Sequence, residues 1–213
     1  SSLLEEEEKK KNDISYKYMP ISIFDVAPKG KKGIRGKRNW SKEKTVKSSR
    51  SSYSPFPMDV GEWCAEYFLR EKKKIFDPFA GWGERHKVIN NAGKSYVGYD
   101  ISPNAIENAK NKFGVINELK NSMIDDIPSH DGLLTCPPYW NLEKYESKEG
   151  LDRIKDWNDF IIDYEKLWKR VTEKAEKGAL YCIMVGDWRK AHKFYDLTYQ
   201  TEKIMDKCGM VPF

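Results

Sequence analysis

From Met58 onward the apolar positions switch between two periods. Val60, Trp63, Cys64, Tyr67 and Phe68 recur at helical spacing, which predicts an amphipathic helix over Met58 to Leu69. Lys74 to Phe76 is a short strand ending at Asp77, and helical spacing returns from Arg85 to Ala92, closed by Gly93 as a C-cap. Ser95 to Tyr99 is a second strand ending at Asp100, followed by a helix over Asn104 to Phe113 that Ser102 and Pro103 start. Glu118 to Met123 holds a weaker third strand, and Gly132 to Thr135 a fourth that runs into Cys136. Asp156 to Ala175 is predicted as a long helix. Its Trp157, Phe160, Ile161, Tyr164, Leu167, Trp168 and Val171 share one face, which marks them as core. A buried strand over Ala179 to Val185 and a helix over Tyr195 to Lys207 complete the pattern. Strands alternating with helices predict an α/β fold: a doubly wound, mostly parallel Rossmann-like sheet with helices on both faces.

The first fifty residues keep neither period. Residues 1 to 13 are a charged end, Ile21 to Val26 is strand-like or loop, and Ser48 to Ser54 is a serine-rich linker. Pro55 and Pro57 exclude a helix there. The expected division is a charged extension with a basic loop over 1–52 and one domain over 53–213. A chain of 213 residues supports about that much core. No apolar run approaches the ~20 residues of a membrane span, and Glu5 to Glu8 followed by Lys9 to Lys11 is no signal peptide. The four cysteines lack zinc-ligand spacing and read as free thiols, and His86, His130 and His192 suggest no metal.

Charge changes the picture more than composition does. The chain carries +5, but Lys29 to Arg50 holds ten cations against Glu43 alone. Lys31, Lys32, Arg35, Lys37 and Arg38 lie in this run, spaced by glycines and closed by Trp40. Such a segment fits contact with nucleic-acid phosphates, although a solvated tail has the same composition.

Candidate chemistry gathers at the strand ends, where an open α/β sheet binds its ligands. Asp77-Pro-Phe-Ala-Gly-Trp-Gly83 follows the first strand, and Gly81 and Gly83 let backbone approach a ligand closely. A phosphate loop needs Gly-Lys-Ser/Thr where this chain has Gly83-Glu84-Arg85, and a dinucleotide loop needs a glycine where His86 stands. With Glu84 beside it, the loop suits a cationic sulfonium better than a pyrophosphate. Thr135-Cys-Pro-Pro-Tyr-Trp140 follows the fourth strand.

These two runs, in this order, resemble those of the N4/N6 amino-group DNA methyltransferases, most of all the small orphan methylases common in phages. Asn141-Leu-Glu143 and Tyr145 after the second run match that group, as does Val185-Gly-Asp-Trp-Arg189. The resemblance extends over roughly residues 20 to 210. It implies a Rossmann-like methyltransferase fold, S-adenosyl-L-methionine as cofactor, DNA as partner and a bacterial or phage-infected cytoplasm. Asp77, Phe79, Ala80, Gly81 and Gly83 would form the cofactor loop, with Asp100 accepting from the ribose hydroxyls and Ile101 beside it. Phe56 would complete the pocket. Asn121-Ser122 stands where relatives carry Asp-Ser facing the adenine amino group, with Asp125 and Asp126 as rivals.

Cys136, Pro137, Pro138 and Tyr139 would be the catalytic loop. An exocyclic amine is a poor nucleophile because its lone pair is delocalised into the ring. Accepting its hydrogens with a side chain and a rigid prolyl-flanked carbonyl frees that lone pair, and the aromatic stacks on a flipped base. Cys136 replaces the usual Asp, Asn or Ser, and a thiol accepts hydrogen bonds weakly. Its shape leans slightly toward cytosine N4 over adenine N6. A covalent thiol mechanism would need Pro-Cys, not Cys-Pro. Trp140 and Arg189 join the basic loop as expected nucleic-acid contacts; Asp187 either braces the catalytic loop or forms with Arg189 an ordinary charged loop pair. Methyltransferases of this type usually add an antiparallel hairpin where Met210 to Phe213 would begin a strand, so either that hairpin is missing here or the fold is shorter. RNA or protein-glutamine methylation and a degenerate DNA-binding subunit are the alternatives. Oligomeric state stays open.

Overall fold

The computed structural model describes residues 56–140 and 150–212. Helix α1 (Met58–Trp63) continues as a π-helical turn over Cys64–Phe68. There follow β1 (Lys74–Asp77), α2 (Glu84–Asn91), β2 (Ser95–Asp100), α3 (Pro103–Phe113), β3 (Glu118–Leu119) and β4 (His130–Thr135). A 3-10 turn (Leu151–Arg153) leads into α4 (Trp157–Thr172), β5 (Ala175–Ile183), the short strands β6 (Trp188–Lys190) and β7 (Lys193–Tyr195), and α5 (Leu197–Lys207).

The five long-range strands form one parallel sheet in the order β3-β2-β1-β4-β5. The chain winds outward from β1 to β3, then returns to the far side of β1 with β4. That reversal makes the carboxyl ends of β1 and β4 the topological switch point, where such sheets bind ligands. This is the doubly wound α/β fold that the alternation predicts.

Both faces of the central strands are buried, so they read as continuous apolar runs. On one face Phe76 and Leu133 pack with Phe160, Tyr164 and Trp168 of α4. On the other, Ile75 and Leu134 pack with Leu69, Val88 and Ile89. Caps set the helix starts. Ser102 Oγ accepts from Ala105 N at 3.3 Å, and an Asp156 carboxylate oxygen accepts from Asn158 N at 2.7 Å.

Several boundaries shift from the sequence expectation, most of all at β5 and before α5. β5 begins at Ala175, four residues early, because a bulge carries the register from His130↔Ala175 to Gly132↔Leu180. Glu176 within it pairs with Lys74 at 2.8 Å, so this charge, which disguises the strand, has a partner there. The antiparallel β6–β7 hairpin occupies the stretch read as loop, and α5 therefore starts at Leu197 and not at Tyr195. Among the described residues, no helix is long and apolar enough to cross a membrane.

Candidate cofactor and catalytic loops

The loop after β1 is organised around one buried carboxylate. Asp77 Oδ1 accepts from Phe79 N at 2.9 Å and Thr135 Oγ1 at 2.6 Å, while Oδ2 accepts from Arg85 Nε at 2.6 Å and Tyr96 OH at 2.7 Å. Arg85 also donates to the Phe79 carbonyl, and its guanidinium lies 4.9 Å from the Phe56 ring centroid. Burial opposes charge on Arg85, but Asp77 beside it prevails and raises the guanidinium pKa further. Asp77 and Phe56 therefore support the loop from beneath: the carboxylate is taken up by the chain's own donors, and the Phe56 ring backs Arg85. Arg85, Tyr96 and Thr135 were not singled out from sequence, because nothing local marks partners brought together by three different elements.

The loop itself is tightly set. Ala80 is buried and donates to the Tyr99 carbonyl at 2.8 Å, while Phe79 is half-buried. Gly81 and Gly83 hold φ of +58° and +93°, the region L-residues avoid. Glu84 is buried and pairs with Lys112 of α3 at 3.3 Å, so its charge beside the loop is matched. Asn117 donates to the Gly81 carbonyl at 3.4 Å and meets His86 Nδ1 at 2.7 Å.

Asp100, at the end of β2, accepts from Gly81 N through Oδ2 and from Ser102 N through Oδ1, both at 2.8 Å. Burial raises its pKa, partly offset by those two N–H groups and by Arg85. Each oxygen keeps a second lone pair for a ligand. Ile101 follows, half-buried, and a Cβ on Gly150 would come within 3.2 Å of its side chain. Asn121 departs from its expected posture: its Oδ1 accepts from Met123 N at 2.9 Å in a local turn, and its N–H donates to Asp125 at 2.6 Å. Ser122 is buried and donates to the Pro78 carbonyl at 3.2 Å. Arg170 of α4 holds the carbonyls of Ser122 and Asp125 at 3.3 and 2.7 Å.

The second loop leaves β4 beside the first. Thr135 ties it to Asp77, and Cys136 follows, half-buried, with Sγ 3.7 Å from the Tyr139 hydroxyl. Pro137 and Pro138 are buried, and Tyr139 is half-exposed. The Tyr139 ring stands edge-on to Trp188 at 6.1 Å, and a Cβ on Gly186 would lie 3.7 Å from it. The segment 186–188 after β5 therefore shares this end of the sheet.

Two expectations are corrected here. Trp140 is not a nucleic-acid contact: it is only 6% exposed, its indole donates to the Ile154 carbonyl at 2.7 Å, and its ring packs with Trp157 and Tyr195. A left-handed backbone at Trp140 (φ +49°) marks the turn there. Asp187 does not brace the catalytic loop either; it accepts from Thr198 N at 2.9 Å, at the start of α5. Arg189 is exposed on β6, its guanidinium 5.3 Å from the Phe194 ring. Lys31, Lys32, Arg35, Lys37 and Arg38 lie outside the described residues.

No protein-family model matches the chain, and no curated protein matches it. Solved structures do. The StiE O-MT, residues 942–1257, is 17% identical with a TM-score of 0.45, covering 65% of this chain and 45% of its own. A TehB-like SAM-dependent methyltransferase from Corynebacterium glutamicum is 16% identical at 0.43, covering 68% and 71%. The sugar N-methyltransferase KedS8 from Streptoalloteichus is 14% identical at 0.44, covering 70% and 62%. The chain covers 40 to 45% of the first three O-methyltransferase structures it matches.

Proposed function

We propose that this protein transfers a methyl group from S-adenosyl-L-methionine to an exocyclic amine of a DNA base, adenine N6 or cytosine N4. The observation that carries the reading is the shared carboxylate: Asp77 binds the backbone of the glycine loop and the hydroxyl of Thr135, immediately before Cys136. The cofactor loop and the Cys-Pro-Pro-Tyr loop are thus built as one unit at the switch point. The donor set suits the cofactor. Asp100 offers lone pairs at the end of β2 for a ribose diol, and a Cβ on Gly81 would have no neighbour closer than 3.8 Å, so the backbone there is open to approach. Bound, the cofactor supplies an electrophilic methyl on a sulfonium.

The chain's own residues prepare the acceptor. Pro137 and Pro138 contribute no N–H, so the loop presents carbonyl oxygen without a competing donor. Cys136 supplies the side-chain acceptor for an amine hydrogen, weaker than a carboxamide. Its hydroxyl neighbour Tyr139 offers the ring on which a flipped base stacks, offsetting part of the few kcal/mol that extrusion requires. Side-by-side assays of labelled methyl transfer to duplex DNA, RNA and a glutamine peptide test this reading. Transfer to DNA above the other two is expected; cofactor-competent protein that labels only RNA or peptide refutes it.

Asp100 gives a second expected outcome. The ribose contact needs the carboxylate, and burial lifts this pKa above the ordinary aspartate range. The acceptor is present above that raised pKa and is lost as pH falls through it. Affinity for S-adenosylhomocysteine should therefore weaken on acidification sooner than an ordinary aspartate would allow. Asp100→Asn should bind poorly with the pH dependence removed. Calorimetric titration at stepped pH reads both; a flat wild-type profile through the acid range contradicts the role.

A further inference from the structure

We propose that the β6–β7 hairpin is a phosphate-gripping finger that holds the DNA backbone beside the catalytic loop; this rests on the reading of the site as a DNA amino-methyltransferase. The hairpin is anchored from within. Trp188 and Tyr195 pair across the strands with rings stacked at 5.5 Å, and Trp188 also meets Trp157 at 5.7 Å and Tyr139 at 6.1 Å. The base of the finger therefore touches the residue that would stack on the target base.

Its outer part has a different composition. Residues 189 to 194 are all exposed, and they read Arg-Lys-Ala-His-Lys-Phe. In register, Arg189 faces Phe194 and Lys190 faces Lys193. Like charges directly opposite one another are unfavourable in an antiparallel pair, so this end concentrates positive charge at some expense. Aromatic faces hold two of the cations in place: Arg189 lies 5.3 Å from the Phe194 centroid and Lys193 lies 5.4 Å from Tyr195. Phe194 stays 50% exposed, available to a sugar or base edge.

The flanking carboxylates, Asp187 and Asp196, keep their charge but hydrogen-bond toward α5. Asp187 accepts from Thr198 N, and Asp196 meets the Gln200 side chain at 3.3 Å, both at the start of α5. Ala191 and His192 form the tip with φ of +48° and +66°, a two-residue turn that suits the twist of a narrow ribbon. A two-stranded ribbon fits a DNA groove, and arginine and lysine on phosphates fix the register of a protein on a duplex. A finger rooted at Tyr139 would clamp the strand that carries the extruded base.

The test is duplex binding by fluorescence anisotropy over a salt series, for wild type and for Arg189→Gln/Lys190→Gln/Lys193→Gln. Each lost phosphate contact makes the slope of log affinity against log salt shallower by roughly 0.9, so a decrease of about 2 to 3 is expected. Affinity at low salt should fall by about tenfold or more, with S-adenosylhomocysteine binding unchanged. The charge-keeping Arg189→Lys/Lys190→Arg/Lys193→Arg protein should retain the wild-type slope. Wild-type slope and affinity in the glutamine variant, while the wild type methylates DNA, overturn the finger alone. A wild type that binds cofactor but no duplex overturns both the finger and the DNA reading beneath it.

Discussion

Asp77→Ala should be among the most damaging single substitutions in this chain, lowering stability by about 3–5 kcal/mol in urea denaturation. The variant strands Arg85, 6% exposed and held charged, without its counter-ion. It also removes the acceptor of the Tyr96 and Thr135 hydroxyls and of Phe79 N. Domains are stable by only about 5–15 kcal/mol, so the variant should sit near its unfolding threshold. Stability and site geometry are expected to fail together, because the same carboxylate ties both loops. The double variant Asp77→Leu/Arg85→Met separates the causes. Replacing a buried ion pair with apolar residues is often near neutral, so much of the lost stability should return while cofactor binding does not. A single-variant loss below about 1 kcal/mol would mean that the pair is solvated, contrary to this account.

Gly83→Ala should follow, for a different physical reason. A Cβ there would lie 2.8 Å from Ala109 Cβ and 2.9 Å from a Val115 methyl, at a φ of +93°. Overpacking of this kind costs about 1–3 kcal/mol and the left-handed backbone about 1–2 more. At Gly81 only the backbone contribution applies, since a Cβ would find no atom closer than 3.8 Å. The two glycines of one motif therefore divide their work. Gly83→Ala should chiefly lower the urea midpoint by loosening α2 from α3. Gly81→Ala should chiefly weaken S-adenosylhomocysteine binding with a modest stability loss. Equal destabilisation by the two would contradict the division.

The parts of the site that were legible are those fixed by local pattern. Asp77, Asp100 and Cys136 were placed at strand ends because short apolar runs terminate just before them, and all three stand there in the structure. Roles set by tertiary partners were not legible. Nothing in Gly-Glu-Arg says that Arg85 turns back eight residues to Asp77, and nothing in Asn-Ser says that Asn121 spends its carbonyl on a local turn. Trp140 was misread because an aromatic after Pro-Pro-Tyr has the same sequence signature whether it faces a base or a core. The β6–β7 hairpin escaped because its three-residue strands carry two lysines and an arginine, with no Asn-Gly turn to announce them.

The central claim is that the Cys-Pro-Pro-Tyr loop activates an exocyclic nitrogen, and the atom that receives the methyl tests it most directly. Duplex DNA would be incubated with the protein and S-adenosyl-L-methionine, digested to nucleosides and resolved by mass spectrometry against methylated standards. The expected product is N6-methyladenine or N4-methylcytosine, and either one identifies the base that Cys136 accommodates. Methyl on cytosine C5, or no methylated nucleoside from protein that binds the cofactor, would contradict the account.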